Sequence, residues 1–450
     1  MHGPWCDHAG MAGKSDPTRI LILGGGYVGM YTALQLQKKL GRQEASVTVV
    51  DPQPHMTYQP FLPEAAAGSV EPRHVVAPLR RVLKRCHVVT AAVTEIKHDE
   101  KVVTVENPQT GSENLAYDVL VVALGSVSRL LPIPGLAEEG ISLKTVGEAT
   151  YLRNHVLGKM DAAANTDDPE LRNRLLTFTF VGGGFAGVEA LAELEDMARY
   201  ATRYYNNIKP DDMSWALVEA AGRVMPEVSE KMGVYVVKAL EERGIKVYLN
   251  TFLKSVEGGH AVLSDGTEFD TDTLVWNAGV KANPVLKNSD LPLDERGRVR
   301  ASAHLQVEGL PGVWAAGDCA AVPDLSKTEE NPGATCAPSA QHAVRQANQL
   351  AKNLLASLRG KQTKEYRHAY AGSVAGMGLY KGVADVYGFK AKGFIAWFMH
   401  RSYHVSRMPT FNRKMRIIID WTLAFLFKRE VVSMGQIQNP RAAFERAAAS

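Results

Sequence analysis

Twice along this chain an aliphatic run leads into glycines spaced G-x-G-x-x-G, at Gly24, Gly26 and Gly29 and again at Gly182, Gly184 and Gly187. Residues 20–23 and 175–181 read as strands covered on both faces, because unbroken aliphatic runs suit a buried parallel sheet. In such a turn the first glycine permits the tight bend and the second lets the backbone approach a pyrophosphate. The third lets the following helix pack close to its strand. The helix then offers unpaired N–H groups and its positive dipole end to the phosphates. A second strand ends at Asp51 in the first copy and at Glu219 in the second, where a carboxylate can accept hydrogen bonds from ribose hydroxyls. Asp51 follows Gly24 by 27 residues and Glu219 follows Gly182 by 37. Both spacings exceed the roughly 20 residues of the simple rule, and the loops GRQEAS and NNIKPDDM hold the excess. Two such units should bind two dinucleotides, in an α/β fold of two Rossmann-like doubly wound domains.

The 450 residues exceed what one ordinary core contains, so two domains and a tail are expected. A net charge of +3 gives no argument for nucleic acid as a partner. The charge is uneven, however: residues 381–429 carry ten Lys or Arg against two acids. Cys6, Cys86, Cys319 and Cys336 form neither a C-x-x-C pair nor a zinc spacing, so reduced structural thiols and no metal are expected. Residues 1–17 lack the pattern of a signal peptide and read as a disordered lead-in.

Strand signals recur at HVVTAAVTEIK, KVVTVEN and YDVLVVALGS, and the basic residues of 70–85 read as one solvated helix. The Pro/Gly-rich segment LLPIPGLAEEG marks a boundary. The expected domains are 18–140 with 281–380 for the first nucleotide, 141–280 for the second, and 381–450 as a separate C-terminal region. Chain return to the first domain is signalled by GVWAAGDCA. Asp318 there suits a hydroxyl of a flavin's ribityl chain, while an acid at that point on its own is more often a helix N-cap.

The order glycine fold, ALG, nested glycine fold, AAGD resembles the two-dinucleotide flavoproteins that include glutathione reductase. Within them, GGGFAGVE, TLVWNAGV, AAGD and APSAQHAVRQ are similar to the type II NADH:quinone oxidoreductases. That resemblance implies FAD and NADH as cofactors. It also implies hydride transfer to the flavin and two electrons passed on to a membrane quinone, menaquinone or ubiquinone, without proton pumping. Gly24, Gly26, Gly29, Asp51, Val93, Gly125, Asp318, Ala340, Gln341 and Lys381 would then serve FAD, and Gly182, Gly184, Gly187 and Glu219 would hold NADH. Glu219 should repel the 2′-phosphate of NADPH, with Arg223 a counter-signal. Glu189, Gln341 and Gln346 are the implied catalytic residues near flavin and quinone. Glu189 also reads as an exposed first-turn acid favoured by the helix dipole, and the glutamines as plain helix surface. Where the family usually has P-P-T, this chain has Ala337, Pro338 and Ser339.

In residues 393–429 Pro409 separates two helices. Arg413, Arg416 and Asp420 make a polar stripe on the second, while Ile417, Ile418, Trp421, Phe425 and Leu426 cover much of the rest. The apolar stretch 417–427 extends only about 16 Å at about 1.5 Å per residue, too short to span a bilayer and suited to lying in its interface. The expected partners are a quinone, an anionic lipid surface on the cytoplasmic side of the cell membrane, and a second copy in a homodimer. The competing use of this helix is in a core or a dimer. Rival functions are a soluble reductase of a redox protein and an NADH-sensing flavoprotein that recruits a partner. No cysteine pair supports a disulfide reductase or a sulfide:quinone oxidoreductase.

Overall fold

The computed structural model describes residues 17–41, 43–327, 331, 333–368, 372–434, 445 and 447. The lead-in expectation therefore lies outside the described residues except for residue 17. Two compact units emerge, one made of residues 1–54, 79–126 and 282–368, the other of 55–78, 127–281 and 369–450. C-terminal residues thus cluster with the second nucleotide fold, as does the proline-rich segment after Asp51.

The first unit is built on a parallel sheet in the order Val313–Ala315, Val119–Val122, Thr18–Leu23, Ala45–Asp51, His87–Thr90. Ile20 pairs with Val47 on one side and Val119 on the other. Ile20, Ile22 and Leu23 are almost wholly buried, as a centrally placed strand requires. The helices Tyr27–Lys39 and Ala340–Leu358 pack together. A three-stranded antiparallel sheet, Ala92–Lys97 to Gly111–Ala116, is set into the same unit.

The second unit repeats the plan with strands in the order Gly140–Ile141, Thr273–Trp276, Thr177–Val181, Ser214–Glu219, Ile245–Leu249. Its entry helix, Val146–Ala164, starts at a capping box in which Thr145 and Glu148 satisfy each other's backbone N–H groups. A small antiparallel sheet, Ser373–Gly376, Gly382–Val386 and Phe389–Lys392, precedes the helices Gly393–Arg407 and Phe411–Phe427.

Residues 70–85 do not form one helix. Pro72 starts the 3-10 turn Pro72–His74, Val76–Pro78 pairs as a strand with His55–Thr57, and Leu79–Val82 is α-helical. Pro78 cannot donate the backbone hydrogen bond that a helix through it would need.

Candidate active site

In the first unit Gly24 takes φ +103°, and a Cβ there would lie 2.3 Å from the Ala123 carbonyl oxygen. A Cβ on Gly29 would lie 1.8 Å from Gly24 O, so the helix approaches its strand more closely than any side chain permits. Gly26 differs: a Cβ would meet nothing within 4 Å. This open cradle at a helix start fits a pyrophosphate approached by backbone. Asp51 latches the loop, its Oδ2 accepting from Gly25 N and its Oδ1 from Gln53 N, each at 2.7 Å. Burial raises the Asp51 carboxyl above its ordinary pKa, and these two backbone donors oppose the rise.

Val93 lies on the strand Ala92–Lys97, beside an irregularity in its pairing. Gly125 takes φ +65° with open space before it. Asp318 accepts a 2.7 Å hydrogen bond from Ser126 Oγ through its Oδ2. Gln346 is 1% exposed, and its Oε1 accepts from Gly317 N at 2.7 Å, so this side chain positions the Asp318 turn. Ala340 is the first residue of its helix, and Gln341 Oε1 accepts from Arg345 Nη1 at 3.0 Å. Lys381 belongs to the other compact unit, exposed at the turn between two strands.

The second unit carries the same cradle. Gly182 takes φ +112°, a Cβ on Gly187 would lie 1.9 Å from Gly182 O, and Gly184 faces open space. Glu219 accepts from Gly183 N through Oε2 and from Ala221 N through Oε1. The Arg223 guanidinium donates to its own loop at Val228 O, which argues against its serving as a 2′-phosphate partner.

Glu189 is not an exposed first-turn acid. It sits on the helix Phe185–Ala201 and is 8% exposed. Its Oε1 accepts from Gly376 N at 2.9 Å and lies 3.1 Å from His400 Nε2. Burial alone would drive the proton off His400. The Glu189 carboxylate outweighs that, Glu64 adds to it, and the imidazole's pKa rises. One helical turn along, His404 shares a 3.1 Å hydrogen bond with Tyr58 Oη, and burial beside His400 lowers its pKa well below the ordinary value.

More ionisable groups surround this pair. Glu193, one turn after Glu189, is pushed by burial up to about 7 against the pull of Arg429, which stands 3.5 Å away. Arg401 lies 3.3 Å from Glu64, with its guanidinium carbon 4.3 Å from the Trp397 ring centroid and 4.7 Å from that of Trp421. Sequence reasoning missed His400, Glu64, Glu193, Arg401 and Arg429. The available signal was two histidines four apart, His400 and His404, on the helix Gly393–Arg407.

The C-terminal helix turns differently from its expected stripe. Trp421 Nε1 donates to Glu64 Oε2 at 2.7 Å, Asp420 lies 2.6 Å from His74 Nδ1, and Ile417 is fully buried. The exposed apolar face is Phe411, Ile418, Ile419, Leu423, Phe425, Leu426 and Phe427, joined by Phe394, Ile395 and Phe398 of the preceding helix. Among the described residues no helix is long and apolar enough to cross a membrane.

Two open glycine cradles, each latched by an acid, and a return strand Val313–Ala315 that leads into the turn bearing Asp318 define a flavoprotein built to hold two dinucleotides. Residues 18–347 match the pyridine nucleotide-disulphide oxidoreductase family. A type II NADH:quinone oxidoreductase of Staphylococcus aureus is 32% identical over 86% of this chain and 94% of its own length. The mitochondrial external alternative NADH-ubiquinone oxidoreductase of Yarrowia lipolytica is 28% identical over 93% of this chain and 81% of its own. The structure of NDH2 from Plasmodium falciparum in complex with NADH superposes with a TM-score of 0.85 at 18% identity. It covers 92% of this chain and 99% of that one, which shows the shared fold. The chain belongs to the type II NADH:quinone oxidoreductases. It is an FAD-dependent enzyme that oxidises NADH and reduces a quinone without pumping protons.

Proposed function

We propose that Gly24, Gly26, Gly29, Asp51, Val93, Gly125, Asp318, Ala340, Gln341 and Lys381 serve FAD in this enzyme, while Gly182, Gly184, Gly187 and Glu219 hold NADH. The open space at Gly26 and Gly184 is the observation that carries this reading. Bound FAD supplies the two-electron relay between nicotinamide and quinone. Gln346 fixes the turn bearing Asp318, and Gln341 offers an amide that can donate to a carbonyl without becoming charged. Glu189 and His400, 3.1 Å apart within a buried array of charged groups, supply a proton that quinone reduction requires at the acceptor. Glu219 favours NADH over NADPH, since its carboxylate repels a 2′-phosphate.

The exposed aromatic and aliphatic face of residues 394–427, flanked by Arg407, Arg413, Lys414 and Lys428, fits an anionic lipid interface on the cytoplasmic side of the cell membrane. An apolar surface of this extent is unusual on a protein fully surrounded by water. A homodimer is part of the same proposal. The proposed FAD part is 18–140 with 281–380, the NADH part 141–280 and the membrane-facing region 381–450, although 55–78, 127–140, 281 and 369–380 cluster with the second compact unit.

The test measures NADH oxidation by the full-length protein with a short-chain quinone, resolving flavin reduction from flavin reoxidation. Glu189→Gln should slow reoxidation more than reduction, and equal effects would assign Glu189 a structural role. Failure of quinone to reoxidise the reduced flavin would remove the functional reading altogether.

A further inference from the structure

In the first unit three side chains that no step above uses come together beside Gln346, with which Cys336 shares a hydrogen bond. Asp324, Cys336 and His342 each offer a donor atom, and these atoms all lie within 4.8 Å of one another. We propose that Asp324, Cys336 and His342 bind a divalent transition-metal ion of borderline softness, zinc(II) being the ion this donor set favours.

Backbone pairing builds the site before any metal arrives. Asp324 N donates to Ala334 O at 2.9 Å and Cys336 N to Val322 O at 2.8 Å, so two short antiparallel segments fix both residues. His342 is the third residue of the helix Ala340–Leu358, where Ser339 caps the N-terminus by accepting from His342 N. Asp324 is 2% exposed and Cys336 6% exposed. Zinc bonds of about 2.0–2.3 Å place tetrahedral donors roughly 3.3–3.8 Å apart. Closing the cluster around an ion therefore requires side-chain shifts of no more than about 1 Å.

Two further observations point to a cation. Asp324 is buried; Ser326 N and Oγ, both neutral, donate to its Oδ1, and the positive or ionisable groups that act on it are Lys327 and His342. A carboxylate in such a place is costly unless a charge compensates it. The outer partners are those that orient metal ligands. Tyr366 Oη lies 3.0 Å from His342 Nδ1 and 3.2 Å from His368 Nδ1, leaving His342 Nε2 for a metal, while His368 stacks on the His342 ring at 4.1 Å. Thiolate, imidazole and carboxylate together suit zinc and leave a fourth position for water. Binding would release the Cys336 thiol proton to solvent and form a metal–sulfur bond, with no change of oxidation state. The ion would clamp the start of the helix that carries Gln341 and Gln346.

The test uses the full-length, FAD-loaded protein stripped with chelator, then given zinc(II) or cobalt(II) and desalted. One equivalent of zinc should be retained. Cobalt should give a thiolate charge-transfer band and visible bands to the red of oxidised flavin. Cys336→Ser should abolish the charge-transfer band and His342→Gln should lower zinc retention at least tenfold, whereas Cys86→Ser should change neither. Loss of retained zinc in the wild type, or a cobalt–thiolate band that survives Cys336→Ser, overturns the proposal. If Cys336→Ser loses its flavin or fails to fold, the wild-type zinc content and the His342→Gln comparison still decide the matter.

Discussion

Glu189 and His400 face each other at 3.1 Å although 210 residues separate them in the chain, one on the helix behind the second glycine cradle and the other on the helix Gly393–Arg407. The contact closes a buried array in which Glu64, Glu193, Arg401 and Arg429 also take part.

His400 titrates with a raised pKa because of Glu189, so the sign of its pH dependence follows. Its contribution to stability is fully present below the unfolded-state value of 6.5 and is lost as pH rises through the higher folded-state value. Quinone-dependent turnover should fall over the same window. His400→Gln should flatten that limb and slow flavin reoxidation about 100-fold, within the usual range for a lost acid–base group. Stopped-flow traces taken at pH values from 6.5 upward check this.

Glycines of one fingerprint should respond oppositely to substitution. Gly29→Ala drives a Cβ into the Gly24 carbonyl, so the first unit should lose its fold and its flavin. Gly184→Val places its side chain in open space, so the protein should fold normally while its KM for NADH rises at least tenfold. Circular dichroism, flavin content and steady-state kinetics separate the two outcomes.

Trp421 and Phe427 should divide stability from lipid binding. Trp421→Phe removes the donor to Glu64 Oε2 and should cost about 1–3 kcal/mol of stability, with little change in vesicle binding. Phe427→Asp alters a residue 76% exposed and should leave thermal unfolding unchanged while weakening binding to anionic vesicles several-fold. Deleting the two helices outright confuses these effects, because Arg401 and Trp421 hold Glu64 of the second unit.

The nucleotide folds were legible because each is local: strand, three glycines, helix and acid lie within about forty residues, and each glycine's role is set by backbone sterics. Asp51 and Glu219 were legible for the same reason, although their grip on Gly25 and Gly183 was not. His400 was hidden because its partner is distant in sequence and its helix is apolar enough to read as membrane surface alone. The stripe of residues 411–427 was misplaced because that helix has two apolar faces. Periodicity cannot say that Ile417 and Trp421 face protein and Phe425 and Phe427 face outward. Asp324, Cys336 and His342 lack a recognisable spacing because a strand pairing, not a local motif, assembles them.

The acid latches have a consequence for redesigning coenzyme choice. On the proposed reading Glu219 would do two jobs with one carboxylate, since the oxygens it would offer a ribose already hold Gly183 and Ala221 in place. Exchanging it for a neutral or basic residue to admit NADPH would also release the phosphate-binding loop. A successful switch must therefore pair the exchange with a second substitution that ties the loop down by other means.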